Sequence, residues 1–161
     1  MAVFLLGLFL VICDAQTGDA RQDLRFDRVV NTGSMLVPGP VIQDRDGFIW
    51  LGTQGTRLIK YEGSRMTRYQ AGPGTFLDGN ITALYEDRAG TIWFGTLGGL
   101  NSYSKNTDSF QSYTHNHDDP KSISHDAFYP SLQTILEDED GTLWVGTQNG
   151  LDGYARETNV F

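Results

Sequence analysis

The chain has 161 residues, 39% of them hydrophobic and 12% aromatic, which is enough for one globular domain with a sizeable core. A formal net charge of -8 without any basic stripe excludes a nucleic-acid backbone as the partner. The one cysteine, Cys13, excludes an internal disulfide and a cysteine-based metal site.

The first segment in chain order is the apolar run from Ala2 to Ile12. At about 11 residues it is too short to span a bilayer, which takes about 20. It fits the apolar core of an export signal, and Cys13-Asp14-Ala15 places small residues for cleavage after Ala15. Residues 1–15 are therefore read as a signal peptide. No Lys or Arg precedes the run, so an upstream start, an uncleaved segment or a buried N-terminal strand stand as alternatives. A lipid-attachment reading at Cys13 is weaker, because Val11 and Ile12 are bulky where small residues are preferred. Residues 24–30 are read as a lead-in strand.

From there the chain repeats itself. Asp44-Arg45-Asp46-Gly47-Phe48-Ile49-Trp50-Leu51-Gly52-Thr53 is followed by Asp87-Arg88-Ala89-Gly90-Thr91-Ile92-Trp93-Phe94-Gly95-Thr96. Asp138-Glu139-Asp140-Gly141-Thr142-Leu143-Trp144-Val145-Gly146-Thr147 is the third copy. All 3 tryptophans fall at the same repeat position, 43 and then 51 residues apart. That spacing suits a four-stranded antiparallel blade. The second copy spells one out: strands over Ile81–Glu86, Thr91–Thr96, Leu100–Tyr103 and Phe110–Tyr113, separated by Asp, Asn and Gly turns. In its second strand Ile92 and Phe94 face one way and Trp93 the other, so both faces are apolar. A sheet with one wet face would alternate apolar and polar residues, whereas a blade covered on both sides would not. The fold class is therefore all-β: about three β-propeller blades of an incomplete ring, with repeats at approximately 37–70, 79–114 and 130–161 inside a partial propeller domain of residues 16–161.

These motifs resemble the two-component regulator propeller repeat, with its acidic D-x-x-G turn, an Ile/Leu-Trp-x-Gly-Thr strand, and a following Gly-Leu and Tyr. Gly99-Leu100, Tyr103, Phe110 and Tyr113 match it, as do Gly150-Leu151 and Tyr154. The first copy departs from it, with Gly55-Thr56-Arg57-Leu58 in place of an adjacent Gly-Leu, which implies a reshaped hairpin. The third copy reaches Phe161 inside its last strand. The resemblance implies a ring of about seven blades, of which this chain is the N-terminal part. It also implies an exported, periplasmic ligand-sensing region of a membrane-spanning, hybrid histidine kinase-like protein that works as a dimer. The implied partners are a small molecule or oligosaccharide, the remaining blades, and the signalling domains. No catalytic residue, cofactor or metal site is expected in this chain. The alternatives are an exported glycan-binding or glycan-degrading propeller and a protein-interaction scaffold.

Several residues invite sharper readings. His115, His117 and His125 with Asp118 and Asp119 suggest a metal, but read better as a solvated loop between blades. Glu86-Asp87 and Glu137-Asp138-Glu139-Asp140 suggest paired carboxylates or a Ca²⁺ loop, but contain the turn Asp of each repeat. The three tryptophans read as blade-to-blade packing, and Tyr61, Tyr103 and Tyr154 as packing between outer strands. No ligand site is assigned. The residues that differ between blades just after the Gly-Thr pairs, Gln54, Arg57, Leu97, Gln148 and Asn149, are the positions from which one would be built.

Overall fold

The computed structural model describes residues 37–55, 57–127 and 135–161. The signal segment, Cys13, the lead-in strand and the first residues of the third repeat lie outside that set. The first blade is an antiparallel meander of β1 (Val37–Gln43), β2 (Ile49–Gln54), β3 (Arg57–Tyr61) and β4 (Met66–Gln70). The second is β5 (Ile81–Glu86), β6 (Ile92–Thr96), β7 (Gly99–Ser104) and β8 (Ser109–Tyr113). The third comprises β9 (Ile135–Glu137), β10 (Leu143–Thr147) and β11 (Gly150–Tyr154). The strands expected in the second copy are all present, shifted by a residue at some ends. Beyond β11, Ala155 and Val160 form an isolated antiparallel bridge, and the Phe161 N–H donates to the Lys121 carbonyl at 3.1 Å.

The repeated D-x-x-G string builds the same turn three times. The Gly47, Gly90 and Gly141 N–H groups donate to the carbonyls of Asp44, Asp87 and Asp138 at 3.0, 3.0 and 3.2 Å. Each of these glycines sits near φ +85°, at 86°, 83° and 86°, where a side chain would be strained. The reshaped hairpin of the first copy is real. Gly52 pairs with Leu58, one residue further along than in the pairs Gly95–Leu100 and Gly146–Leu151. Thr53 Oγ1 closes the longer connection by bonding both the N–H and the carbonyl of Arg57.

Alternation along β6 sends its side chains into two different cores. Ile92 and Phe94 join Trp50, Leu58, Phe76, Ile81, Leu84 and Tyr103 between the first and second blades. Trp93 joins Leu100, Ile123, Ile135, Leu143, Val145 and Tyr154 between the second and third. Each layer thus consists of the Trp of one blade, the two aliphatic or aromatic neighbours of the next blade's Trp, and one apolar residue from the linker. Phe76 and Ile123 are those linker plugs, at 1% and 0% exposure. Burying such a side chain contributes about 1.5–3 kcal/mol. Close approach of the blades needs small residues: a Cβ on Gly52 would stand 2.5 Å from Ile81 Cγ2.

Candidate functional site

The turn at one rim of the blades carries a repeated polar assembly. Each turn Asp uses one carboxylate oxygen to accept the backbone N–H four residues on: Phe48 at 2.8 Å, Thr91 at 2.8 Å and Thr142 at 2.9 Å. The other oxygen accepts the indole N–H of the repeat Trp, at 2.8 Å for Asp44–Trp50 and 2.6 Å for both Asp87–Trp93 and Asp138–Trp144. Asp44 and Asp87 are buried. A buried carboxylate needs a cation as well, and the next blade provides it. Lys105 Nζ lies 3.4 Å from Asp44, 2.6 Å from Asp46 and 2.8 Å from Glu86. Arg156 stands in the same place one blade on, 2.8 Å from Asp87 and 3.0 Å from Glu137. Glu86 and Glu137 each accept the N–H of the preceding blade's turn, from Arg45 at 2.8 Å and Arg88 at 2.7 Å. The Arg45 guanidinium reaches the Asp87 and Arg88 carbonyls, and Arg88 reaches the Glu139 carbonyl at 2.8 Å. Of the carboxylate runs that suggested acid–base chemistry, Glu86, Asp87 and Glu137 are thus tied up in joining blades, while Asp138 holds its own turn and Trp144.

Burial works to lower the Lys105 ammonium's pKa. Hydrogen bonds to Asp46 and Glu86 and the charges of Asp44 and Glu86 outweigh it and hold the group above its ordinary 10.5. Asp138 is held below the ordinary carboxylate range, first by the Trp144 indole and then by backbone N–H groups of its turn, with burial opposing.

Trp50 and Trp93 pack between blades, whereas Trp144 lies half-buried on the third blade with no blade packed over it among the described residues. Trp50 lies against Tyr69 of its own blade and Tyr103 of the next, at 6.3 and 5.2 Å between ring centroids. Trp93 repeats this with Tyr113 and Tyr154 at 5.6 and 5.3 Å. Tyr103 and Tyr154 cross the blade boundary and pack against outer strands, Tyr103 against Tyr69 of β4 and Phe110 of β8, and Tyr154 against Tyr113 of β8. Their hydroxyls donate to Asp108 and Asn159 at 2.8 and 2.7 Å and accept from the hydroxyls of Tyr69 and Tyr113 at 3.0 and 3.2 Å. Burial, then these bonds, push the Tyr103 hydroxyl well above its ordinary 10.0, and burial with the Tyr154 bond does the same to Tyr113.

The opposite rim carries the residues that differ between blades. Gln54, Leu97, Gln148 and Asn149 lie at the turns joining second to third strands, all exposed, and Arg57 opens β3 half-buried. Gln54 bridges to Asn80, and Asn149 Nδ2 donates to the Ser124 carbonyl at 3.3 Å. Both partners belong to linkers that side chains of the third strands pin down. Asn101 Oδ1 accepts the Leu77 N–H at 3.2 Å, and Asp152 Oδ1 accepts the Ser124 N–H at 3.2 Å. In the linker, His115 Nδ1 pairs with the Ile123 carbonyl at 2.8 Å, and His125 Nδ1 accepts the Ala127 N–H at 3.0 Å. Among the described residues no group of three or more His, Cys, Asp or Glu side chains is placed to hold a metal ion. This rim is a rigid frame with blade-specific side chains on it, which is the arrangement a binding surface needs.

Known proteins add three findings. The sequence model of the two component regulator propeller family matches residues 75–98 and 128–149, so the chain carries repeats of that kind. No match was found among curated proteins. Among solved structures, an extracellular domain attributed to hybrid two component system BT3049 from B. thetaiotaomicron superposes with a TM-score of 0.67 at 26% identity, over 77% of this chain and 18% of that one. A second extracellular domain from the same organism, attributed to one component system BT4673, gives 0.65 at 22% identity over 89% and 18%. A catalytically inactive form of virginiamycin B lyase from Staphylococcus aureus gives 0.61 at 15% identity over 88% and 45%, a likeness of fold alone. This chain spans less than a fifth of the length of the first two.

Proposed function

We propose that this chain is part of an exported, periplasmic β-propeller that senses a small ligand for a two-component signalling protein, and that it performs no catalysis itself. The observation that carries this reading is the match to two component regulator propeller repeats over residues 75–98 and 128–149. Likeness to an extracellular domain attributed to a hybrid two component system supports the location. The rim geometry is consistent with sensing. Glu86, Asp87 and Glu137, among the carboxylates that an acid–base mechanism would recruit, are engaged in joining blades at the other rim, while the blade-specific side chains stand on a pinned frame. A sensor needs only differential affinity for two arrangements of the protein it belongs to. Oligosaccharides are the ligand class to test first.

The test is isothermal titration of the exported region of the protein containing this chain with a panel of defined oligosaccharides, with product analysis of the same mixtures. Binding without turnover that is weakened by Gln54→Ala or Asn149→Ala is the expected result. Turnover of any panel member points to a glycan-degrading propeller instead.

A further inference from the structure

At the rim that carries the blade-specific side chains, the first blade departs from the other two. In the second and third blades the third strand opens on Gly99 and Gly150, whose φ values of 134° and 141° disfavour any side chain. In the first blade the connection is one residue longer, and its positive φ falls on Gly55, at 147°. The residue that opens β3 is thereby free to carry a side chain, and it is Arg57. Thr53 Oγ1 holds both the N–H and the carbonyl of Arg57, so the backbone from which the guanidinium projects is fixed.

The Lys and Arg side chains that are half-buried among the described residues are Arg57, Lys60, Lys105 and Arg156. Lys60 lies 2.7 Å from Glu62, Lys105 holds Asp44, Asp46 and Glu86, and Arg156 holds Asp87 and Glu137. Arg57 differs from these three: among the described residues its guanidinium meets no carboxylate and no hydrogen-bond acceptor. Asp78, on the linker whose Gly79 carbonyl accepts the Gly55 N–H, turns Oδ1 onto the Asn80 N–H and forms no ion pair with Arg57. A partly desolvated cation left without an acceptor costs free energy in the unliganded protein. Its planar fork matches an anionic group that offers two oxygens. Gln70 stands directly opposite Arg57 across the β3–β4 ladder, and Gln54 precedes it by one turn of the hairpin. Both are exposed, and their side-chain amides make no hydrogen bond among the described residues. Each amide offers a donor and an acceptor, which is what a sugar hydroxyl pairs with.

We propose that Arg57 is the anion-binding position of the sensing rim and that the ligand is an acidic oligosaccharide, its carboxylate or sulfate group held by the guanidinium and its hydroxyls by Gln54 and Gln70. The assignment rests on the sensing function proposed above and names its ligand class. Among the blade-specific positions of this rim, Gln54, Arg57, Leu97, Gln148 and Asn149, Arg57 supplies the charge and the others supply none.

The experiment titrates the exported region of the protein containing this chain, by calorimetry at low and high salt, with defined uronate-containing oligosaccharides, sulfated oligosaccharides, and the carboxyl-reduced or desulfated forms of the same chains. The acidic form is expected to bind about ten-fold or more tightly than its neutral counterpart, with affinity falling as salt rises. Whether the uronate or the sulfated set responds tells carboxylate from sulfate. Arg57→Met should abolish the preference and Arg57→Lys should keep part of it. Neither should lower the melting temperature, because the guanidinium satisfies no partner in the fold. Neutral forms that bind as tightly as acidic ones, or a preference that survives Arg57→Met, overturn the proposal. Equal destabilisation by Met and Lys would assign Arg57 to the fold and overturn it too. Binding of neutral forms alone, weakened by Asn149→Ala, would overturn this assignment and leave the sensing function standing, whereas binding of none would overturn both.

Discussion

Arg156 of the third blade lies 2.8 Å from the Asp87 carboxylate oxygen that also accepts the Trp93 indole of the second. One buried oxygen thus joins a hydrophobic anchor to a charge on a different sheet. Asp87→Ala leaves an indole N–H, a backbone N–H and a guanidinium without their acceptor. Breaking a buried pair by removing one partner costs about 3–5 kcal/mol. Urea denaturation should show that loss as a lowered midpoint, with Asp87→Asn retaining the indole bond and falling between the two.

Trp93→Phe and Trp144→Phe should differ although the motif is the same. The first removes a donor from a fully covered carboxylate, at a cost of about 1–3 kcal/mol. The second acts where water replaces the lost contact, and should cost less by about 1 kcal/mol. Thermal melts of the two variants side by side measure the gap.

Gly52→Ala forces a Cβ against Ile81 across the first boundary. Overpacking of this kind costs about 1–3 kcal/mol. In an Ile81→Ala background most of that penalty should vanish, and the double-mutant cycle reads the coupling directly.

Stability should fall at both ends of the pH scale for separate reasons. Tyr103, Tyr113 and Lys105 have raised values when folded, so their contribution is complete below the ordinary 10.0 and 10.5 and is lost as pH climbs through the raised values. Asp46 and Asp138 have lowered values, so theirs is complete above the ordinary 3.8 and is lost as pH falls through the lowered ones. Melting temperatures between pH 2 and pH 12 should be flat across the middle and decline outside it, with Lys105→Met removing part of the alkaline decline (a flat alkaline limb would contradict the tyrosine shifts).

Alanine at Gln54, Leu97 or Asn149 should change stability by no more than about 0.5 kcal/mol, the usual range for surface positions. Chemical denaturation checks this, and a neutral result frees these rim positions for binding measurements without a folding defect.

Much of this was readable in the residues. The three D-x-x-G strings placed the turns, and Ile92, Trp93 and Phe94 announced two covered faces. The Asp-to-indole bond was hidden although both residues stand in the motif, because a contact six residues apart exists only once the turn has closed. Lys105 and Arg156 were missed for a different reason. Lys105 meets Asp44 across 61 residues of chain, and no local pattern marks such a pair. Their common place two residues after the repeat Tyr was the available signal, as was the Glu immediately before each later turn Asp. At the other rim, side chains that differ from blade to blade offer no repetition to read, so the candidate positions could be located but not assigned a ligand.

The first and second blades each donate a Trp and an Asp forwards and receive a tyrosine, a cation and a linker plug from the blade that follows. The boundary therefore has a direction, and that direction matches synthesis. A ribosome that has released the first blade has released only half of the layer around Trp50; Phe76, Phe94, Tyr103 and Lys105 are still to come. The first and second blades thus leave the ribosome unfinished and are each completed by the one behind.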